Sequence, residues 1–126
     1  MVGLDENILD HLPNQLSIGQ CQRVAIARAI SASPQLLICD EPTSSMDIDN
    51  QDKIMALLRN VIKDLNLSCI FISHDIHVLN NISNRIAIMQ KGKIVEVISS
   101  LDSPVQEHHP YTRVLLQGLC NLKQEE

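Results

Sequence analysis

Two short apolar runs, Leu36-Leu37-Ile38-Cys39 and Cys69-Ile70-Phe71-Ile72, constrain the fold of this chain more than any other feature. Each is too short for a buried helix, and an unbroken apolar run of this length fits a strand covered on both faces, as in a parallel sheet. Between them, from Asp49 to Leu65, the residues Ile54, Leu57, Leu58, Val61, Ile62 and Leu65 recur at helical spacing. Asp52, Lys53, Arg59, Lys63 and Asp64 fill the opposite side, as on a helix packed by one face. Strand, helix and strand in that order predict a parallel pair, because parallel neighbours need a crossover and a helix is the usual one.

The flanking segments extend this pattern. Ser17 precedes a helix-forming stretch that runs to about Ser31, where Ser33-Pro34 closes it. A serine in that place can accept from a backbone N–H two or three residues on. Upstream, Val2 to Leu16 is mixed, with Pro13-Asn14 as a breaker. Downstream, Ile76 to Ile82 reads as a short helix. Ile86 to Met89 and Ile94 to Ile98 read as a hairpin turned at Gln90-Lys91-Gly92-Lys93. Beyond Ser103-Pro104 a helical segment spans Tyr111 to Leu119, and Lys123 to Glu126 is expected to fray. The expected class is α/β, mainly parallel, with a C-terminal antiparallel hairpin at the sheet edge.

Composition excludes some functions. Ten basic residues against fifteen acidic ones leave a formal net charge of −5, and the aromatic rings are Phe71 and Tyr111. A nucleic-acid surface wants clustered Lys and Arg with stacking rings, so no nucleic-acid partner is expected. At 126 residues and 44% hydrophobic content there is room for one domain. Cys21, Cys39, Cys69 and Cys120 are scattered, which suits reduced thiols rather than a disulfide framework. Met1 to Asp10 lack the pattern of a signal peptide, and no apolar run approaches the roughly eighteen residues that read as membrane-spanning. Membrane association is expected to go through a partner.

Ligands of open α/β sheets sit beyond the carboxyl ends of the strands. Asp40, Glu41 and His74 all fall there. Asp40 is suited to hold Mg²⁺ together with phosphate oxygens. Glu41 is suited to orient or deprotonate a water that attacks phosphorus, and His74 to hydrogen-bond a phosphate. At the helix after Ser17, unpaired N–H groups and the dipole favour an anion, and Gly19 allows close approach. Each residue also has a plainer reading, as a cap, a solvated turn or a surface histidine. Taken singly, these plainer readings are the stronger ones.

Leu16-Ser17-Ile18-Gly19-Gln20, Leu36 to Pro42 and Ile70 to Asp75 resemble the signature motif, Walker B motif and H-loop of the ATP-binding cassette (ABC) ATPases. Ser44-Ser45-Met46-Asp47 resembles their D-loop. The resemblance implies a partial RecA-like P-loop NTPase core with ATP as substrate and Mg²⁺ as cofactor. It implies Asp40 on the metal, Glu41 and His74 as catalytic residues, and Ser17, Gly19, Gln20 and Asp47 on nucleotide. No Gly-x-x-x-x-Gly-Lys-Ser/Thr occurs in the sequence, nor the family's Q-loop glutamine. The resemblance is therefore to the C-terminal half, without the Walker A strand and loop that supply most of the triphosphate binding. Ile18 stands where the family has the first of two glycines. If that turn needs φ > 0, Ile18 is strained by about 1–3 kcal/mol.

His108-His109-Pro110-Tyr111-Thr112-Arg113-Val114-Leu115-Leu116, with Gly92-Lys93-Ile94-Val95-Glu96, is similar to the extension of the oligopeptide, dipeptide and nickel importer branch. The implied organisation is 1–102 as the C-terminal part of the ATPase domain and 103–126 as that extension. The implied function is a truncated ATP-binding subunit of such an importer, peripheral to the cytoplasmic face of the membrane, coupling Mg-ATP hydrolysis to transport. Transmembrane permease subunits and an intact ABC ATPase subunit are its implied partners, because the family's ATPases work head to tail. The alternative is a non-catalytic remnant that pairs with an intact ATPase, or with itself through a bare sheet edge. The purified chain alone is expected to release no phosphate from Mg-ATP at steady state. Turnover that vanishes in Glu41→Gln would contradict this.

Overall fold

The computed structural model describes residues 1–44, 46–99 and 104–122, with backbone alone at His77 and at 118–122. Ser45, the expected boundary at 102/103, the tail 123–126 and the side chain of Cys120 lie outside the described residues. In chain order the elements are α1 (Ile18–Ser31), β1 (Leu36–Asp40), α2 (Ile48–Asp64), β2 (Ser68–Ile72), α3 (Ile76–Ile82), β3 (Ile86–Gln90), β4 (Lys93–Ile98) and α4 (Pro110–Leu122). Short 3₁₀ turns occur at Glu6–Ile8, Pro13–Gln15 and Val105–Glu107. The chain divides into two compact units, Met1–His74 and Asp75–Glu126.

In the first unit β1 and β2 are parallel, in register from Leu36 opposite Ser68 to Asp40 opposite Ile72. The ladder runs one step past each end: Ser68 N–H donates to the Gln35 carbonyl and Glu41 N–H to the Ile72 carbonyl, both at 3.0 Å. The α2 stripe is buried as expected, with Ile54, Leu58 and Val61 at 1%, 0% and 2% exposure and Met55 joining them. Leu65 lies past the helix end and is exposed. α1 lies against α2 and buries Ile26 and Ile30.

The expectation of strands covered on both faces does not hold. Leu37 and Cys39 are buried, but Leu36 and Ile38 are 46% and 60% exposed, and Ile70 and Ile72 on β2 are 49% and 46% exposed. Alternate strand residues point to opposite faces, and the described residues of this unit supply one buried layer only. The second apolar face is bare.

In the second unit β3 and β4 form an antiparallel hairpin, with Ile86 opposite Ile98, Ile88 opposite Glu96 and Gln90 opposite Lys93, and an irregularity between Ile88 and Met89. The turn residues Lys91 and Gly92 both have positive φ, 49° and 76°. Two such residues match the right-handed twist of the strands they join, which is the use of Gly92. Ile76, Ile86, Ile88 and Ile98 form the core here, with Leu79, Val95, Tyr111 and Leu116 packed against it. The hairpin was expected as the edge of one sheet; the described strands instead form two separate two-stranded sheets. A hairpin closes its ladder through its own turn and needs no third strand to fix its register.

Leu58→Ala is expected to lower unfolding free energy by about 2–5 kcal/mol, since it empties a fully buried site. Ile38→Ser, on the bare face, should stay within about 0.5 kcal/mol. Urea midpoints monitored by far-UV circular dichroism compare the two.

Candidate functional site

The parallel register sets the carboxyl ends of β1 and β2 level, with Asp40 opposite Ile72. The residues just past the two strands are therefore neighbours. Glu41 adopts φ +47°, the left-handed region that a side chain as long as glutamate seldom enters. Such a conformation costs of order 1–3 kcal/mol and persists where neighbours fix it. Here they do. Glu41 N–H is held by Ile72, while its carbonyl accepts from Ser44 N at 3.3 Å and from Ser44 Oγ at 3.1 Å.

This turn aims the carboxylate at the end of β2. Glu41 Oε1 accepts from His74 N–H at 3.1 Å and lies 2.8 Å from His74 Nδ1. A carboxylate can only accept, so this geometry assigns the neutral ring's proton to Nδ1 and its lone pair to Nε2. The His74 side chain is 78% exposed and that of Glu41 36%. Solvent screens such a pair, so its value is geometric rather than a source of stability. Asp40, the last residue of β1, is exposed beside it. Among the described residues no group of three or more His, Cys, Asp or Glu is arranged to hold a metal ion. Asp40 can thus offer one carboxylate to a cation whose other ligands come from phosphate and water.

The second set of residues lies where α1 and α2 begin. Ser17, Ile18, Gly19, Met46, Asp47 and Asn50 line an open cleft of about 210 Å³. Ser17 caps α1: its Oγ accepts from Gln20 N–H at 3.2 Å, and Gln20 Oε1 accepts in return from Ser17 N–H at 2.8 Å. This reciprocal capping box engages the Gln20 side chain, which does not line the cleft. Asp47 caps α2, its two oxygens accepting from Asn50 N–H and Asn50 Nδ2 at 2.9 Å each. Those bonds hold the Asp47 carboxyl below its ordinary range. Two helix N-termini, each with its positive dipole end, open on one cleft that also carries the Asp47 charge.

Two expectations are adjusted here. Ile18 is the first residue of α1 and is not left-handed, so the anticipated strain is absent and its side chain stands 62% exposed at the cleft. A Cβ on Gly19 would meet nothing within 4 Å, so the fold itself leaves room for a side chain there. The structure brings Glu41 together with His74, and Ser17 with Gly19 and Asp47. Missed were Met46 and Asn50 in the cleft, although Asp47-x-x-Asn50 carries the capping signal, and the left-handed turn at Glu41.

Residues 1–44 match the ABC transporter family. Over 94% of its length the chain is 40% identical to the oligopeptide transport ATP-binding protein OppF of Haemophilus influenzae and 42% identical to the probable D,D-dipeptide transport ATP-binding protein DdpF of Escherichia coli. Over 96% of its length it is 50% identical to the methionine import ATP-binding protein MetN 3 of Bacillus cereus. It spans about a third of these relatives, 36%, 38% and 35% respectively. Among solved structures it resembles the dimeric ATP-binding cassette MJ0796 in a post-hydrolysis state bound to ADP and Pi. The TM-score is 0.67 at 36% identity, over 78% of this chain and 42% of that one. The fold is that of ABC ATPase cassettes.

Ser17→Ala, which removes half of the capping box, is expected to cost about 1 kcal/mol in a urea titration. The Asp47 carboxyl is lowered on folding, so its contribution is present above the ordinary carboxylate range and is lost as pH falls through the lowered value. Asp47→Asn retains a capping oxygen without titrating. Its melting temperature should therefore fall less steeply than the wild type's below about pH 4.

Proposed function

We propose that this relative of the ABC transporter ATP-binding proteins is the nucleotide-engaging portion of an importer's ATP-hydrolysing component. The observation that carries the reading is the 2.8 Å approach of Glu41 Oε1 to His74 Nδ1 at the carboxyl ends of two parallel strands, next to Asp40. Glu41 would orient the attacking water and take its proton, while His74 Nδ1–H, bonded to that carboxylate, holds it in place. A proton drawn from solvent onto Nε2 would let the ring donate to the phosphate oxygen on which charge collects as the bond to ADP breaks. Asp40 would hold Mg²⁺, which supplies charge neutralisation of the phosphates. Ser17 Oγ–H and the N–H groups at Gly19 would contact a γ-phosphate presented by a second polypeptide, with Asp47 beside it.

That polypeptide would carry the phosphate loop that holds the nucleotide. An intact ABC ATPase subunit fits, with transmembrane permease subunits completing an assembly on the cytoplasmic face of the membrane. The relatives' names, oligopeptide, D,D-dipeptide and methionine, support a peptide or amino acid as solute, and nickel rests on the C-terminal stretch alone. A second reading is favoured by the bare face of Leu36, Ile38, Ile70 and Ile72, through which a non-catalytic remnant would pair with an intact ATPase or with itself.

Gel filtration with an intact oligopeptide-transport ATP-binding subunit, its own attacking-water glutamate changed to glutamine, distinguishes the readings. Co-elution that requires Mg-ATP and is lost in Ser17→Arg is expected. Co-elution indifferent to nucleotide and to Ser17→Arg favours the remnant; no co-elution overturns pairing with an ATPase in both readings, and elution of the chain alone as a monomer then overturns self-pairing.

A further inference from the structure

Two stretches distant in sequence meet at one carboxylate in the second unit. Glu96 lies on β4, opposite Ile88. Its Oε1 is 2.9 Å from His108 Nδ1, and its Oε2 accepts from His109 N–H at 3.0 Å. Thr112 is fully buried on the first turn of α4, and its hydroxyl beside Glu96, with the His108 ring and the His109 N–H, holds the carboxyl below its ordinary range. The same turn is braced from inside: Arg113 Nε donates to the His108 carbonyl at 2.7 Å, and Tyr111 N–H to His109 Nδ1 at 3.2 Å.

Donors and acceptors fix the protonation states. An ionised Glu96 requires His108 to carry a proton on Nδ1. The ring is 4% exposed and its Nε2 has no hydrogen-bond partner among the described residues. A bare lone pair there is tolerable, whereas a second N–H would be stranded. Both donors, the His108 ring and the His109 backbone, are satisfied together only by a carboxylate with two accepting oxygens. A protonated carboxyl turns one of those oxygens into a donor and faces N–H with O–H.

We propose that Glu96 is a latch for the C-terminal helix: ionised, it fastens the first turn of α4 to β4, and neutralised, it lets α4 leave the hairpin. While fastened, α4 packs Tyr111 and Leu116 against the Ile76, Ile86, Ile88 and Ile98 cluster. Among the described residues His108 is the titratable side chain in contact with Glu96. β3 contributes no titratable residue, Lys93 lies at the far end of β4 opposite Gln90, and the Arg113 Nε is taken by the His108 carbonyl. Because folding lowers the carboxyl, the latch holds above the ordinary carboxylate range and opens as pH falls through the lowered value.

Tyr111 is the single tyrosine of a chain without tryptophan, so its near-ultraviolet circular dichroism reports the docking of α4 directly. In the full chain, Glu96→Gln is expected to lose that signal at neutral pH, with no remaining acid transition, while the far-ultraviolet spectrum keeps the signal of α1 and α2. A Glu96→Gln chain with the wild-type Tyr111 signal and the wild-type acid midpoint overturns the proposal. If the variant does not fold, hydrogen exchange on the wild type decides. Amides of 113–117 should lose protection at higher pH than those of 54–61, and simultaneous loss overturns the latch.

Discussion

The register of β1 on β2 is the constraint on which the candidate site depends. Parallel strands have no turn to fix their alignment, and a slip of one residue would move Leu37 and Cys39 to the bare side. It would also separate Glu41 from His74, which meet only because Asp40 stands opposite Ile72. The extra rung from Glu41 N–H to the Ile72 carbonyl carries the alignment past the end of the strand and into the left-handed turn. The strain of that turn, of order 1–3 kcal/mol, is offset within a short segment by three hydrogen bonds to Glu41 backbone groups. Backbone geometry, rather than charge attraction, thus presents the carboxylate.

The cleft at Ser17 and Asp47 works by a different economy. Each helix start is closed by its own side chains, through the Ser17 and Gln20 box on α1 and the Asp47 and Asn50 pair on α2. The caps satisfy some of the orphan N–H groups, and the dipoles still point into the opening. The Asp47 charge offsets part of that positive potential. On the function proposed above, a phosphate received here would come with a cation or a basic group from whatever carries it.

Local features were legible in the sequence. The Ser17 cap, the α2 stripe from Ile54 to Ile62, and the turn at Lys91 and Gly92 each depend on residues a few positions apart, and each appears where spacing and residue type put it. The cover of the strands was not legible, because Leu36 and Ile38 read the same whether a second layer lies over them or not. Nor were the left-handed Glu41 and the Glu96 to His108 contact, which need a partner strand or a later helix to exist. The Gln20 side chain, which the resemblance implies on nucleotide, bonds back to the Ser17 N–H, a contact that depends on the helix having formed.

The preformed link between Glu41 and His74 is the claim on which the functional reading stands. Long-range ¹H–¹⁵N correlation spectra of the full chain, recorded without nucleotide, read the protonation of each ring nitrogen of His74. The predicted result is a proton on Nδ1, with ring shifts that move in Glu41→Gln. A neutral His74 protonated on Nε2, or ring shifts unmoved by Glu41→Gln, would contradict it.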